Sequence, residues 1–205
     1  CVFNNHKSFL SDKKLFDGFS QWINKDSDEA TVLSNFEKLH TLGYDVEELY
    51  TNKLSGWLNK LSIDEQVNLL DHAQSLYPNS LKFIALKLEC AKVFESKKDN
   101  DKAIKVADSI SKKCKEAYIV IAKALCNKAE RESELDKKET LFCEAEDTIA
   151  KVSNTQSRAV ENRINKALLS VAEGFYSKNE TEKAYALLSR LANKGFGESV
   201  VSITK

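Results

Sequence analysis

Apolar residues recur at helical spacing on both sides of a short polar break near the middle of the chain. Residues 97–101 are polar, and the apolar positions before the break fall on one helix face. A second apolar stripe follows the break. The pattern predicts two antiparallel helices joined by a tight turn, whose core residues are Phe83, Leu86, Cys90, Ala91, Phe94, Ala103, Ala107 and Ile110.

The same pattern returns further along the chain. Ala91, Phe94 and Ala103 correspond to Ala172, Phe175 and Ala184, each 81 positions later. The space between them accommodates one more unit of about 40 residues, a length typical of helical-repeat proteins. Similar patterns occur before residue 80. The periodicity predicts five helical hairpins, at approximately 12–42, 46–78, 80–115, 116–153 and 158–195, with 196–205 as a cap or the start of a further helix.

This pattern of small and large residues resembles that of the tetratricopeptide repeat family. In that family each unit is an antiparallel helix pair with a small residue inside each helix and a large residue closing the turn. The resemblance covers roughly residues 12–195, and Pro78 ends one of the units. It implies an all-α fold, a right-handed superhelix (solenoid) that forms a single domain over 1–205 and has a concave face lined by the first helix of each hairpin.

Composition and hydropathy argue against several classes of protein. The chain has 205 residues with 31 basic and 31 acidic side chains, so its net charge is zero. A general nucleic-acid binder usually carries a basic excess, and we expect no nucleic-acid partner. Six Gly and one Pro provide few turns for an all-β fold. No apolar run approaches the roughly 18 residues of a membrane span, so we expect no transmembrane segment.

The cysteines leave two questions open, the role of Cys1 and the redox state of the other four. Cys1 fits the acylated first residue of a mature bacterial lipoprotein, but also a trimmed chain or removal of the initiator Met. Membrane anchoring is expected only in the first case. The other four cysteines lie in predicted helices without metal-ligand spacing. A disulfide between Cys126 and Cys143 would indicate an oxidising compartment, whereas free thiols would favour the cytoplasm. A periplasmic, outer-membrane-anchored location is expected if Cys1 is the N-terminus of a lipoprotein.

Catalytic motifs are absent from the sequence. The three histidines belong to no HExxH, and there is no GxSxG, Walker loop or GxGxxG. We therefore expect no enzymatic activity and no cofactor. The expected partner is another protein, bound as an extended peptide or a helix.

The repeat register places nine residues on or near the concave face. Lysines alternate there with apolar side chains, which suggests a partner segment with apolar anchors and some acidic character. The alternative is that Leu88, Ile119 and Leu169 only pack between adjacent repeats. The nine candidate binding residues are Asn52, Leu88, Lys92, Ile119, Lys123, Lys166, Leu169, Glu173 and Tyr176.

Three functions remain consistent with the sequence. The leading hypothesis is a non-catalytic adaptor or scaffold that binds a partner on the concave face. The second is a lipid-anchored envelope lipoprotein, attached through Cys1, that assembles a secretion or cell-envelope complex. The third is a helical accessory domain of a larger enzyme or regulator.

Overall fold

The computed structural model describes residues 29–41, 43, 45–58 and 60–196. This part of the chain contains helices and turns only, which confirms the all-α prediction for these residues. The predicted first helix of the first hairpin, Cys1 and residues 197–205 lie outside the described residues. The nine described helices are α1 (Glu29–Thr41), α2 (Glu47–Leu58), α3 (Ile63–Leu76), α4 (Leu81–Ser96), α5 (Asn100–Ser111), α6 (Glu116–Arg131), α7 (Leu135–Ile149), α8 (Thr155–Ser177) and α9 (Thr181–Asn193).

The chain divides into two compact units, Cys1–Leu86 and Lys87–Lys205. The division falls inside α4. A single domain and a continuous right-handed superhelix over the whole chain therefore stay predictions.

The first unit has an aromatic core. The ring of Phe36 from α1 stacks on that of Tyr50 from α2, with centroids 4.5 Å apart. Phe83 meets Tyr50 edge-on at 5.9 Å. All three side chains are fully buried, and aromatic pairs in these geometries add stability beyond their buried area. Gly43 ends α1 with a φ of 85°, a conformation that glycine adopts without steric cost.

The second unit is built by sequential packing. Each helix from α5 to α8 packs against the next one, and α6 also contacts α8. The small residues expected at close helix approaches are almost completely buried. A methyl side chain allows two helix backbones to come close without leaving a cavity. These residues are Ala91, Ala103, Ala107, Ala122, Ala172 and Ala184.

The two turns that lie 81 residues apart have the same backbone structure. Lys98 and Asn179 both adopt the left-handed conformation, with φ of 61° and 62°. In the first turn, the Asp99 N–H donates to the Phe94 carbonyl at 3.0 Å. In the second, the Glu180 N–H donates to the equivalent Phe175 carbonyl at 2.9 Å. Both turns are Schellman motifs, which satisfy the last carbonyls of a helix.

The correspondence extends to side chains. The Lys102 ammonium lies 5.4 Å from the centre of the Phe94 ring, and the Lys183 ammonium lies 5.1 Å from that of Phe175. Cations at this distance are attracted to the face of an aromatic ring. Each lysine also pairs with the acidic residue three positions before it: Lys102 with Asp99, and Lys183 with Glu180. The two turns are therefore alike in backbone conformation, in the lysine–phenylalanine contact and in the ion pair beside it.

Candidate binding surface

The nine residues predicted for the concave face differ in exposure. Leu88 and Ile119 are buried, with 6% and 4% of their surface accessible. Leu169 and Lys123 are half-buried. The remaining five, Asn52, Lys92, Lys166, Glu173 and Tyr176, are exposed. Asn52 belongs to the first unit and the other eight to the second.

Four of these residues form a stripe along α8. Lys166, Leu169, Glu173 and Tyr176 follow one another at spacings of three and four residues, which places them on one helix face. Tyr176 is 67% exposed. This α8 stripe combines an accessible aromatic ring, a half-buried leucine and charges of both signs.

The lysines of the surface are not equivalent. Lys92 pairs with Glu89 one turn earlier on α4, at 2.8 Å. Neither Lys123 nor Lys166 forms an ion pair with another described residue. A partner carboxylate would have to compete with Glu89 for Lys92, but not for the other two lysines.

A chain of polar side chains links α4, α6 and α8, and the sequence reasoning missed it. The Asn127 amide donates to Glu95 Oε1 at 3.0 Å, and Asn127 Oδ1 accepts from Arg163 Nη2 at 2.9 Å. Arg163 also donates to Glu130 Oε1 through Nε and Nη2, at 2.9 and 2.7 Å. This polar ladder fixes the relative positions of three helices. Its members are partly exposed, so each bond contributes only about 0.5–1 kcal/mol.

A cleft of about 270 Å³ lies beside the polar ladder. Glu130 is part of both features. The cleft is mostly apolar, and Leu135 is one of its lining residues. A Cβ on Gly174 would lie 3.0 Å from a Leu135 methyl group. Its lining residues are Glu130, Leu135, Lys138, Phe142, Ala167, Ser170 and Val171.

A second charged cluster ties α9 to α7. The Glu146 carboxylate is 6% exposed and pairs with both Arg190 and Lys194. A buried carboxylate is tolerated when it is paired and hydrogen-bonded in this way. Arg190 also donates to the Cys143 sulfur at 2.9 Å. Burial raises the pKa of the Cys143 thiol, and the guanidinium opposes that shift.

The four described cysteines are free thiols, so Cys126 and Cys143 are not bridged. Cys126 is completely buried in α6. Burial raises its pKa to about 11, because the thiolate would lose its hydration. The protonated thiol therefore acts as a core residue at neutral pH.

The first unit contains a hydrogen-bonded chain that the sequence did not indicate. Tyr50 Oη lies 2.6 Å from His72 Nδ1, and His72 Nε2 lies 2.8 Å from Glu37 Oε1. A neutral imidazole with its proton on Nε2 satisfies both contacts. Burial raises the pKa of Tyr50, so its hydroxyl stays a donor. The chain connects α1, α2 and α3 and gives a buried phenol its partner.

Neither a metal site nor a membrane-spanning helix is found among the described residues. No group of three or more His, Cys, Asp or Glu side chains is arranged to hold a metal ion there. None of the helices in that part of the chain combines the length and the apolar character that crossing a bilayer requires. Cys1, the proposed lipidation site, lies outside the described residues.

The chain was compared with known proteins at the level of families, sequences and structures. No protein-family model matches it, and neither a curated protein nor a solved structure matches it.

Proposed function

We propose that this protein is a non-catalytic adaptor or scaffold that binds another protein along the first helices of its hairpins. In a right-handed stack of the tetratricopeptide kind, the α8 stripe would line the concave face. The main support is Tyr176, an aromatic ring that is 67% exposed at the end of the α8 stripe. Aromatic side chains are enriched at protein interfaces, where they bury a large area at low entropic cost.

The charge pattern suggests the chemistry of the partner. Lys123 and Lys166 have no acidic partner among the described residues, and the half-buried Leu169 follows Lys166 by one turn on α8. A peptide or helix with acidic residues and apolar anchors would complement this surface. The chain itself supplies no catalytic group in this proposal.

The proposal is tested by affinity capture with quantitative mass spectrometry. The bait is the full chain, either unchanged or with the triple substitution Lys92→Ala, Lys123→Ala and Tyr176→Ala. We expect at least one protein to be captured by the unchanged chain and depleted at least fivefold with the triple variant.

A matched control carries the same types of substitution at exposed positions elsewhere, Lys105→Ala, Lys112→Ala and Leu81→Ala. It should capture partners as well as the unchanged chain does. Equal recovery with the binding-surface variant, while its circular dichroism spectrum is unchanged, would refute the proposal.

A further inference from the structure

The hairpin of α4 and α5 is covered by the helix that follows it. From α6, Asn127 donates to Glu95 at 3.0 Å and to Asn100 at 3.5 Å, and Lys128 pairs with Asp101 at 2.7 Å. Arg131 Nη1 donates to the Lys98 carbonyl at 3.4 Å. These contacts define one side of the hairpin as an interface with the next helix.

The equivalent side of the hairpin of α8 and α9 is open. Asn100 is 5% exposed, whereas its equivalent Thr181 is exposed. Exposure also increases from Leu88 to its equivalent Leu169. Both residues are leucines, but Leu88 is buried and Leu169 is only half-buried.

The open side also carries aromatic residues. Ile104 is half-buried, and its equivalent Tyr185 is 59% exposed. Glu95, which α6 contacts, corresponds to Tyr176. Three large apolar side chains are exposed among the described residues, and two of them are these tyrosines. Accessible aromatic rings concentrated on one face mark it as a binding surface.

We infer that this side, the end face, binds one amphipathic α-helix of a partner protein in the position that α6 occupies over the preceding copy. The end face consists of Leu169, Tyr176, Thr181, Glu182 and Tyr185. This inference goes beyond the proposed function, because its central residues Glu182 and Tyr185 lie on α9, a second helix. Leu169 and Tyr176 form the edge that the two surfaces share.

The chemistry of the partner helix follows from the substitutions between the two copies. Tyr176 and Thr181 replace Glu95 and Asn100, the two residues that bind Asn127. The partner therefore needs an apolar residue at the position of Asn127. Glu182 replaces Asp101, so the charge at that point is conserved, and the partner keeps a Lys or Arg where α6 has Lys128.

A labelled peptide provides the probe. It has the sequence of residues 116–131 with Asn127→Leu, and with Cys126→Ala to prevent oxidation. Fluorescence anisotropy measures its binding to the full chain. We expect Tyr185→Ala to weaken binding at least tenfold. We expect Glu182→Lys to weaken it about fivefold, and a second probe that also carries Lys128→Glu to restore binding to that variant.

The control is Leu81→Ala, which removes an apolar side chain in the first unit that is 77% exposed, against 59% for Tyr185. It should leave binding of the probe unchanged. Failure of the unchanged chain to bind the probe at 1 mM would overturn the inference. Equal affinity in the Tyr185→Ala and Leu81→Ala variants would do the same.

Two other occupants are distinguished by the same variants. Self-association in sedimentation velocity that Tyr185→Ala abolishes would assign the end face to a second copy and overturn the inference. A tenfold gain in probe affinity on deletion of residues 197–205 would assign it to the chain's own tail, with the same consequence. The unchanged chain should sediment as a monomer, and the deletion should have no effect.

Discussion

Two hairpins of the second unit, residues 87–111 and 168–192, have the same turn and similar local contacts in different surroundings. They share a Schellman turn, a lysine over a phenylalanine ring and buried alanines at the same positions. All these features arise within about 25 consecutive residues. The comparison teaches that the shared features join residues that are close together in the sequence.

The two hairpins differ in the residues that surround them. In the first copy, Asn100 is buried and accepts a hydrogen bond from Asn127. In the second, Thr181 and Tyr185 remain exposed. The second copy is instead tied to α7 through Arg190 and Glu146, whereas Ser109, the equivalent of Arg190, donates only to Val106 within its own helix. The exposure of a repeat position therefore depends on its neighbours, not on the hairpin.

The largest expected effect tests whether the two cores are equivalent. Phe94→Ala and Phe175→Ala should each lower the free energy of unfolding by about 3–5 kcal/mol, because both rings are buried and truncation leaves a cavity. The two losses should agree within about 1 kcal/mol. Urea unfolding followed by circular dichroism measures them.

The control for this pair is Tyr176→Ala, next to Phe175 but exposed, which should change stability by less than about 0.5 kcal/mol. A loss of unfolding free energy below about 1 kcal/mol at either phenylalanine would show that the cores of the two hairpins are not equivalent.

A smaller effect distinguishes the two turns. Lys98 and Asn179 have the same positive φ, but asparagine tolerates this conformation better than lysine. Lys98→Gly should therefore stabilise the protein by about 0.5–1 kcal/mol, and Asn179→Gly by clearly less. The melting temperature of each variant reports the difference. Destabilisation by Lys98→Gly would contradict the turn geometry.

Much of the fold could be predicted from the sequence, because the relevant signals are local. The spacing of Ala91, Phe94 and Ala103 identifies a helix pair and the break between them. The predicted hairpins at 80–115, 116–153 and 158–195 contain the helix pairs α4–α5, α6–α7 and α8–α9. The offset of 81 residues also identified which positions are equivalent.

The candidate surface was less predictable, because it depends on how helices distant in sequence are rotated against each other. Arg163 reaches Asn127 and Glu130 across more than 30 residues, and no local pattern reveals that contact. The same holds for the contact of His72 with Glu37. Helical phase alone also does not distinguish an exposed position from a buried one on the same helix face, and Leu88 and Ile119 are buried.

The central claim, that one hairpin structure occurs once covered and once open, is tested most directly by cysteine labelling. Asn100→Cys and Thr181→Cys are introduced separately into the chain after its own five cysteines have been replaced by alanine. Because Asn100 is buried under α6 and Thr181 is exposed, we expect a maleimide reagent to label residue 181 at least ten times faster than residue 100. Equal labelling rates in the folded protein would contradict the account.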